Sequence, residues 1–279
     1  MTTPLFKAIR QCRPTSSLVL YCHPRMAPLA LACRLADRLE SIDEVAVSAL
    51  FVPGAWRMGE LGGLVQPGDE VVSYISDPDG VVLENLAGAG AASVGCGGPL
   101  VAQGHAADWM VRPLEALAIP VKLPVVPRLR LPADLVEEGR RQLTRLAGQP
   151  EGGGVIVIHP GSGSARKNWP AAWFVALARR LRDECGIQSV FTFGEADSGV
   201  KAELVDALRE FAAVSGRDLL ALAALVAACR CYIGNDSGIT HLAAALDVPT
   251  VAMFGPTDPA IWGPRGSRVA IMRAQGADP

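Results

Sequence analysis

The sequence predicts an α/β fold of two Rossmann-like halves, joined near residues 120–132 and separated by a cleft. Three observations carry this expectation. Short apolar runs alternate with stretches of helical periodicity, the mark of parallel α/β architecture. Prolines recur at 120, 124, 127 and 132, which suits extended linking chain. Beyond them the alternation starts again, more regularly, from Val155. Residues 1–127 are therefore expected to form one domain and residues 128–279 the other.

In the first half, Ser17–Cys22 reads as a strand, Leu29–Leu39 as a helix and Glu44–Phe51 as a second strand. Val71–Ser76 reads as a third, closed by the turn-forming Asp77-Pro78-Asp79-Gly80. Residues 88–104 carry six glycines, which predicts loops or close backbone approaches in place of regular structure. An amphipathic helix over Ala133–Leu146 then leads into Gly152-Gly153-Gly154.

In the second half, Val155–His159 is a fully apolar strand with a glycine-rich exit. A helix follows over Trp169–Glu184, with Trp173, Phe174, Leu177, Ala178 and Leu181 on one face. Asn168 suits its cap, and Pro170 its first turn, where a missing N–H costs nothing. Gln188–Phe193 reads as a strand, and Val200, Leu204, Leu208 and Phe211 mark the next helix. Asp218–Ala228 (helix), Cys231–Ile233 (strand), Ile239–Leu246 (helix) and Thr250–Phe254 (strand) complete the pattern.

Half of the 279 residues are hydrophobic, 19% are charged and 5% are aromatic. Disorder, coiled coil and collagen are excluded on those figures. Lysine and arginine total 26 against 28 acidic residues, a net charge of −2. With no global basic field for nucleic acid or anionic lipid, any bound anion must be caught by a local site. Seven cysteines stand at 12, 22, 33, 96, 185, 229 and 231. The odd count and the C-x-C spacing of Cys229 and Cys231 point to reduced thiols serving as small buried hydrophobes, not to a disulfide frame or zinc site. The longest apolar run, Leu219–Cys229, is too short to span a bilayer. Near the start only Leu18–Cys22 is continuously apolar, so no signal peptide is expected and the expected location is the cytoplasm.

In parallel sheets ligands bind beyond the carboxyl ends of the strands, so the turns there are where chemistry is expected. After Val155–His159 comes Pro160-Gly161-Ser162-Gly163-Ser164-Ala165-Arg166-Lys167-Asn168-Trp169-Pro170. Its small residues let backbone N–H groups approach an anion, and Lys167 adds a point charge beside a helix start. It lacks the spacing of a Walker A loop. After Cys231–Ile233 comes Gly234-Asn235-Asp236-Ser237-Gly238-Ile239-Thr240-His241. There Asp236 and Ser237 suit either a helix cap or a ligand at the positive end of the helix dipole, and His241 either packing or donation to phosphate or sugar. The third turn is the rigid Gly255-Pro256-Thr257-Asp258-Pro259, followed by Trp262-Gly263-Pro264. In Phe193-Gly194-Glu195 a carboxylate at a strand end suits a ribose diol, or simply solvent. No carboxylate or histidine cluster shows metal-ligand spacing.

Taken together, HPGSGSARKNWP, FGE, GNDSGITHLAAALDVPTVAMFGPTDP and WGPRG resemble glycosyltransferase family 9, the ADP-heptose:lipopolysaccharide heptosyltransferases. The resemblance is dense over Val155–Gly266. It implies a GT-B-like fold: two facing Rossmann-like domains, the first on the acceptor side and the second holding the nucleotide-sugar donor. Ser162, Gly163 and Lys167 then match the donor-phosphate loop and Glu195 the ribose contact. Asp236, Ser237, Gly238 and His241 match the segment that grips diphosphate and sugar, with Ser237 where many members have Thr. The implied activity is an inverting, metal-independent transfer of a heptose-like sugar to a lipopolysaccharide core or related glycan. An ADP-sugar is the implied donor substrate, with no cofactor, no bound metal and no nucleic-acid partner. The same resemblance leaves room for peripheral contact with the inner membrane, without an integral segment.

Family members usually carry the general base as Asp in a Gly-Asp loop after the first strand. Here that strand runs into His23-Pro24-Arg25-Met26-Ala27-Pro28. The candidate bases are therefore His23, Asp77 and Asp79, the aspartates at the carboxyl end of Val71–Ser76, with His105 and Asp108 behind them. Two other readings stand beside transfer: a non-catalytic nucleotide-sugar-binding relative, and a GT-B-like nucleotide-sugar 2-epimerase.

Overall fold

The computed structural model describes residues 2–98, 101, 103–148 and 154–273. Gly152, Gly153 and residues 99, 100 and 102 of the glycine-rich stretch lie outside the described residues. The chain divides into two compact units, Met1–Val125 and Val126–Pro279. The first unit opens with helix α1 (Thr3–Cys12), whose Leu5 and Ala8 are buried with Phe6, Ile9 and Cys12 packed beside them.

Strand β1 (Val19–Cys22) leads through helix α2 (Ala27–Ala32) to β2 (Arg38–Ser41), which pairs with it in parallel. The helix expected over Leu29–Leu39 thus stops early. Arg34 takes a left-handed φ of 52°, and the Leu35 N–H donates back to Ala30 O at 3.0 Å, so the turn closes before Leu39 enters β2. The strand expected over Glu44–Phe51 is instead helix α3 (Val45–Ala49). Strand alternation would bury Val45 together with Val47 and Ala49, whereas Val45 is 85% exposed and Leu50 is buried.

Strand β3 (Glu70–Ser73), three residues shorter at its end than expected, pairs in parallel with β4 (Ser93–Cys96) across helix α4 (Val81–Gly88). The glycine-rich stretch therefore includes regular structure as well as close approaches. A Cβ on Gly95 would lie 2.1 Å from Pro113 O, and one on Gly97 2.6 Å from the Tyr74 ring. Helix α5 (Ala106–Trp109) follows, and Leu114, Leu117 and Ile119 complete the core begun by α1.

The second unit begins with α6 (Ala133–Ala147) and runs β5 (Ile156–His159), α7 (Ala171–Cys185), β6 (Ser189–Phe193), α8 (Ser198–Glu203), β7 (Ala212–Ser215) and α9 (Leu219–Ala228). It continues with β8 (Cys231–Asn235), α10 (Gly238–Ala245), β9 (Thr250–Phe254), α11 (Pro259–Trp262) and β10 (Val269–Arg273). All six strands are parallel, in the order β10-β9-β8-β5-β6-β7. This is the doubly wound order, and its topological switch point lies between β5 and β8. Pleating sends Val155 and Val157 into the core with Leu143, Leu225 and Val226, while Ile156 and Ile158 join Phe174, Val175 and Phe191 on the other face. Burial on both faces is why these strands read as continuous apolar runs.

Several details depart from expectation. Helix α7 is capped at Pro170, not Asn168, and buries Ala171, Phe174, Val175 and Ala178, leaving Trp173 57% exposed. The helix expected through Val200–Phe211 ends at Glu203; a 3-10 turn at Ala207–Arg209 then brings Leu208 and Phe211 to the same core as Leu204. Strands β7 and β10 have no counterpart among the expected elements. Of the seven free cysteines only Cys229 is buried, where desolvation pushes its thiol up to about 12, while Cys96 and Cys185 are exposed. Among the described residues no helix is long and apolar enough to cross a membrane.

Candidate functional site

Parallel strands all end at one edge of the sheet, so the turns after β5, β8 and β9 lie side by side. Asn235, the last residue of β8 and fully buried, ties the first of them down. Its Nδ2 donates to Pro160 O at 2.8 Å, and its Oδ1 accepts the Trp169 N–H at 2.9 Å, so one side chain grips both ends of the 160–170 loop. Inside that loop the Ser162 hydroxyl lies 2.7 Å from Asn168 Oδ1 and 2.8 Å from Ser164 O. Asn168, expected as a helix cap, is thus a loop brace.

Charge gathers at the same edge. Lys167 Nζ donates to Asp236 Oδ2 at 2.9 Å, and Thr257 Oγ1 donates to the same oxygen at 2.8 Å. The Asp236 N–H donates to Met253 O at 3.0 Å. Asp236, 5% exposed, therefore joins the turns after β5, β8 and β9 through one carboxylate. The Lys167 side chain is about one-third exposed (34%), a cation held at the rim by a buried anion.

Helix α10 starts here. Its cap, Ser237, accepts the Thr240 N–H, and the buried Thr240 hydroxyl donates to Asn235 O while lying 3.2 Å from the Tyr232 hydroxyl. Burial raises the Tyr232 phenol, which serves as a neutral hydrogen-bonding group beneath the helix start. The first-turn N–H groups and the positive dipole end are thereby fixed at the rim beside Lys167.

Glycines at this edge are of two kinds. A Cβ on Gly234 would sit 2.5 Å from the Tyr232 hydroxyl, so that glycine serves internal packing. One on Gly163 or Gly238 would meet nothing within 4 Å, which leaves space for a ligand to approach the backbone. Glu195, exposed, follows β6 on the next turn, and His241, half-buried, lies one turn into α10. Sequence reasoning alone misses Asn235, Thr257 and Thr240 as site residues; an Asn closing an apolar strand is the available signal for the first.

The candidate bases belong to the first unit. His23 is exposed, and its Nδ1 accepts the Arg25 N–H at 3.2 Å. Asp77 accepts the Val82 and Leu83 N–H groups at 3.0 and 2.9 Å, capping α4, and Asp79 is exposed in the turn before it. His105 Nδ1 accepts the Ala107 N–H, and Asp108 Oδ1 the Val125 N–H. Among the described residues, no group of three or more His, Cys, Asp or Glu side chains is gathered as for a metal ion.

Known proteins share this arrangement of strands and turns. Lipopolysaccharide heptosyltransferase 1 of Pseudomonas aeruginosa is 37% identical over 123 residues, 44% of this chain and 34% of that protein. Lipopolysaccharide heptosyltransferase 2 of Salmonella typhimurium is 34% identical over 113 residues, 38% of this chain and 32% of that one. The chain thus matches about a third of the length of these relatives. Among solved structures, a glycosyl transferase family 9 protein from Veillonella parvula aligns with a TM-score of 0.78 at 20% identity, over 98% of this chain and 81% of its own. E. coli ADP-heptose lps heptosyltransferase II aligns with a TM-score of 0.75 at 18% identity, over 99% of this chain and 87% of its own. These two likenesses establish the GT-B-like fold. A family model described as glycosyltransferase family 9 (heptosyltransferase) matches residues 126–278, more than half of the sequence and all of the second unit's sheet, and the chain belongs to that family.

Proposed function

We propose that this protein is an inverting glycosyltransferase that moves a heptose-like sugar from an ADP-sugar to a lipopolysaccharide core or related glycan. The single observation that carries the reading is the Lys167–Asp236–Thr257 junction beside the N-terminus of α10. In such a transfer the acceptor hydroxyl attacks the anomeric carbon, the bond to the nucleoside diphosphate breaks, and a base takes the hydroxyl proton. The departing diphosphate gathers negative charge. Lys167, the amides near Gly163 and the α10 dipole are the elements that would meet it without a divalent ion. The relatives' names, lipopolysaccharide heptosyltransferase 1 and 2, supply the sugar and the acceptor class. We place the reaction in the cytoplasm, with peripheral contact at the inner membrane where such an acceptor is presented.

The test is transfer from ADP-heptose to a heptose-deficient core acceptor, followed by mass spectrometry with and without EDTA. Product should form at the same rate in both. Turnover that vanishes with chelator and returns with Mg²⁺ or Mn²⁺ would contradict the metal-independent step.

A second reading, a nucleotide-sugar-binding relative without turnover, has one observation in its favour. His23 Nδ1 and both Asp77 oxygens are engaged as caps. Donor binding with no transfer to any acceptor offered would select it.

A further inference from the structure

The turn that carries Glu195 is clasped from within. Asp197 Oδ2 accepts the Gly194 N–H at 2.6 Å, and the Asp197 N–H donates to Gly194 O at 3.2 Å. Both main-chain groups of Gly194 are thus bound by the residue three positions on, and Glu195 is the first residue of the loop so closed. The Asp197 side chain is 4% exposed. Desolvating a carboxylate is costly, and a surface turn of three residues does not ordinarily require one.

The same carboxylate reaches the neighbouring loop. His159, the last residue of β5, is equally buried, and its Nε2 lies 3.5 Å from Asp197 Oδ2. Its Nδ1 lies 3.0 Å from Thr192 O in β6; a carbonyl only accepts, so Nδ1 carries the hydrogen and the ring orientation is fixed. On the other side, a Cβ on Gly161 would fall 1.8 Å from Asp197 Oδ1. Gly161 immediately precedes Ser162 of the 160–170 loop. Asp197 therefore stands between the turn after β6 and the loop after β5, touching both and exposed at neither.

We propose that Asp197 is a positioning residue for the nucleotide-sugar donor: it holds the Glu195 turn in the geometry that receives the ribose diol, in fixed register with the phosphate-side loop. The inference rests on the donor reading above and deepens it. Asp197 does not touch the ligand; it acts through Glu195. Removing it should harm recognition of the ribose hydroxyls far more than recognition of the phosphates.

The experiment is calorimetry with ADP and with 2′,3′-dideoxy-ADP on wild type, Asp197→Ala and Asp197→Asn, with melting curves on each. Wild type should prefer ADP by about tenfold or more, the worth of a hydrogen bond to a charged group. Asp197→Ala should lose most of that preference while binding the dideoxy analogue as wild type does. Asp197→Asn, whose Oδ1 still accepts the Gly194 N–H, should retain it. If Asp197→Ala does not fold, Asp197→Ser, whose oxygen stops short of the Gly194 N–H, carries the same expectation. An equal loss for both ligands, or an unchanged preference in the Ala or Ser variant, overturns the positioning role and leaves the donor reading intact. A wild type that binds both ligands equally overturns the ribose assignment and the positioning role together.

Discussion

Replacing Lys167 with alanine is expected to weaken ADP-sugar binding about 10- to 150-fold, or about 1.5–3 kcal/mol, the range for a hydrogen bond to a charged group. The geometry makes the loss local. Lys167 is one-third exposed, and its Nζ meets Asp236 at the rim of the sheet, where a phosphate would take over part of that bond. Removing the ammonium also leaves the buried Asp236 carboxylate with Thr257 Oγ1 as its remaining side-chain donor among the described residues, facing an incoming anion with like charge. Stability should fall as well, by more than the roughly 0–1 kcal/mol typical of an exposed pair, because the Asp236 carboxylate left behind is buried. Calorimetry with ADP-heptose, alongside a melting curve, checks both parts. Unchanged affinity in a folded Lys167→Ala variant would remove the phosphate assignment.

The second large effect is expected at the base. Among the sequence candidates, we propose Asp79 as the base. His23 Nδ1 already accepts the Arg25 N–H, so the neutral ring carries its hydrogen on Nε2 and offers no lone pair to an acceptor proton. Asp77 spends both oxygens on α4, and its loss would unsettle that helix by about 0.5–2 kcal/mol, the usual worth of a cap. Asp79 is exposed beside it at the end of the turn after β3. Asp79→Asn should cut kcat about 10²–10⁴-fold with donor affinity retained. Asp77→Asn, which keeps a capping oxygen, and His23→Ala are the companion variants. Full turnover in all three would place the base elsewhere.

How much of the fold is legible in the sequence differs between the two units. Strands β5, β6, β8 and β9 are buried on both faces and bounded by glycine-rich turns, so their apolar runs stand out from composition alone. Strand β4 does not, because Ser93-Val94-Gly95-Cys96 shows small residues whose role is close approach to Pro113 and Tyr74. Helix α3 reads as a strand because five short apolar or small residues carry too little periodicity to separate the two. At the site, the loops are visible in the sequence but their joints are not. Lys167 and Asp236 lie 69 residues apart, and Asn235 and Pro160 75, so only the parallel order of β5, β8 and β9 brings them together. Asp197 is hidden for a related reason: its neighbours His159 and Gly161 belong to a different strand and loop.

We propose that the edge of the second unit's sheet, at Lys167, Asp236 and the start of α10, holds the diphosphate of a nucleotide-sugar. A crystal structure with ADP bound tests it most directly. A phosphate oxygen is expected within about 3 Å of Lys167 Nζ and of a first-turn N–H of α10, with the ribose beside Glu195. Nucleotide density elsewhere on the chain, with the Lys167–Asp236 pair undisturbed and no phosphate at α10, would contradict it.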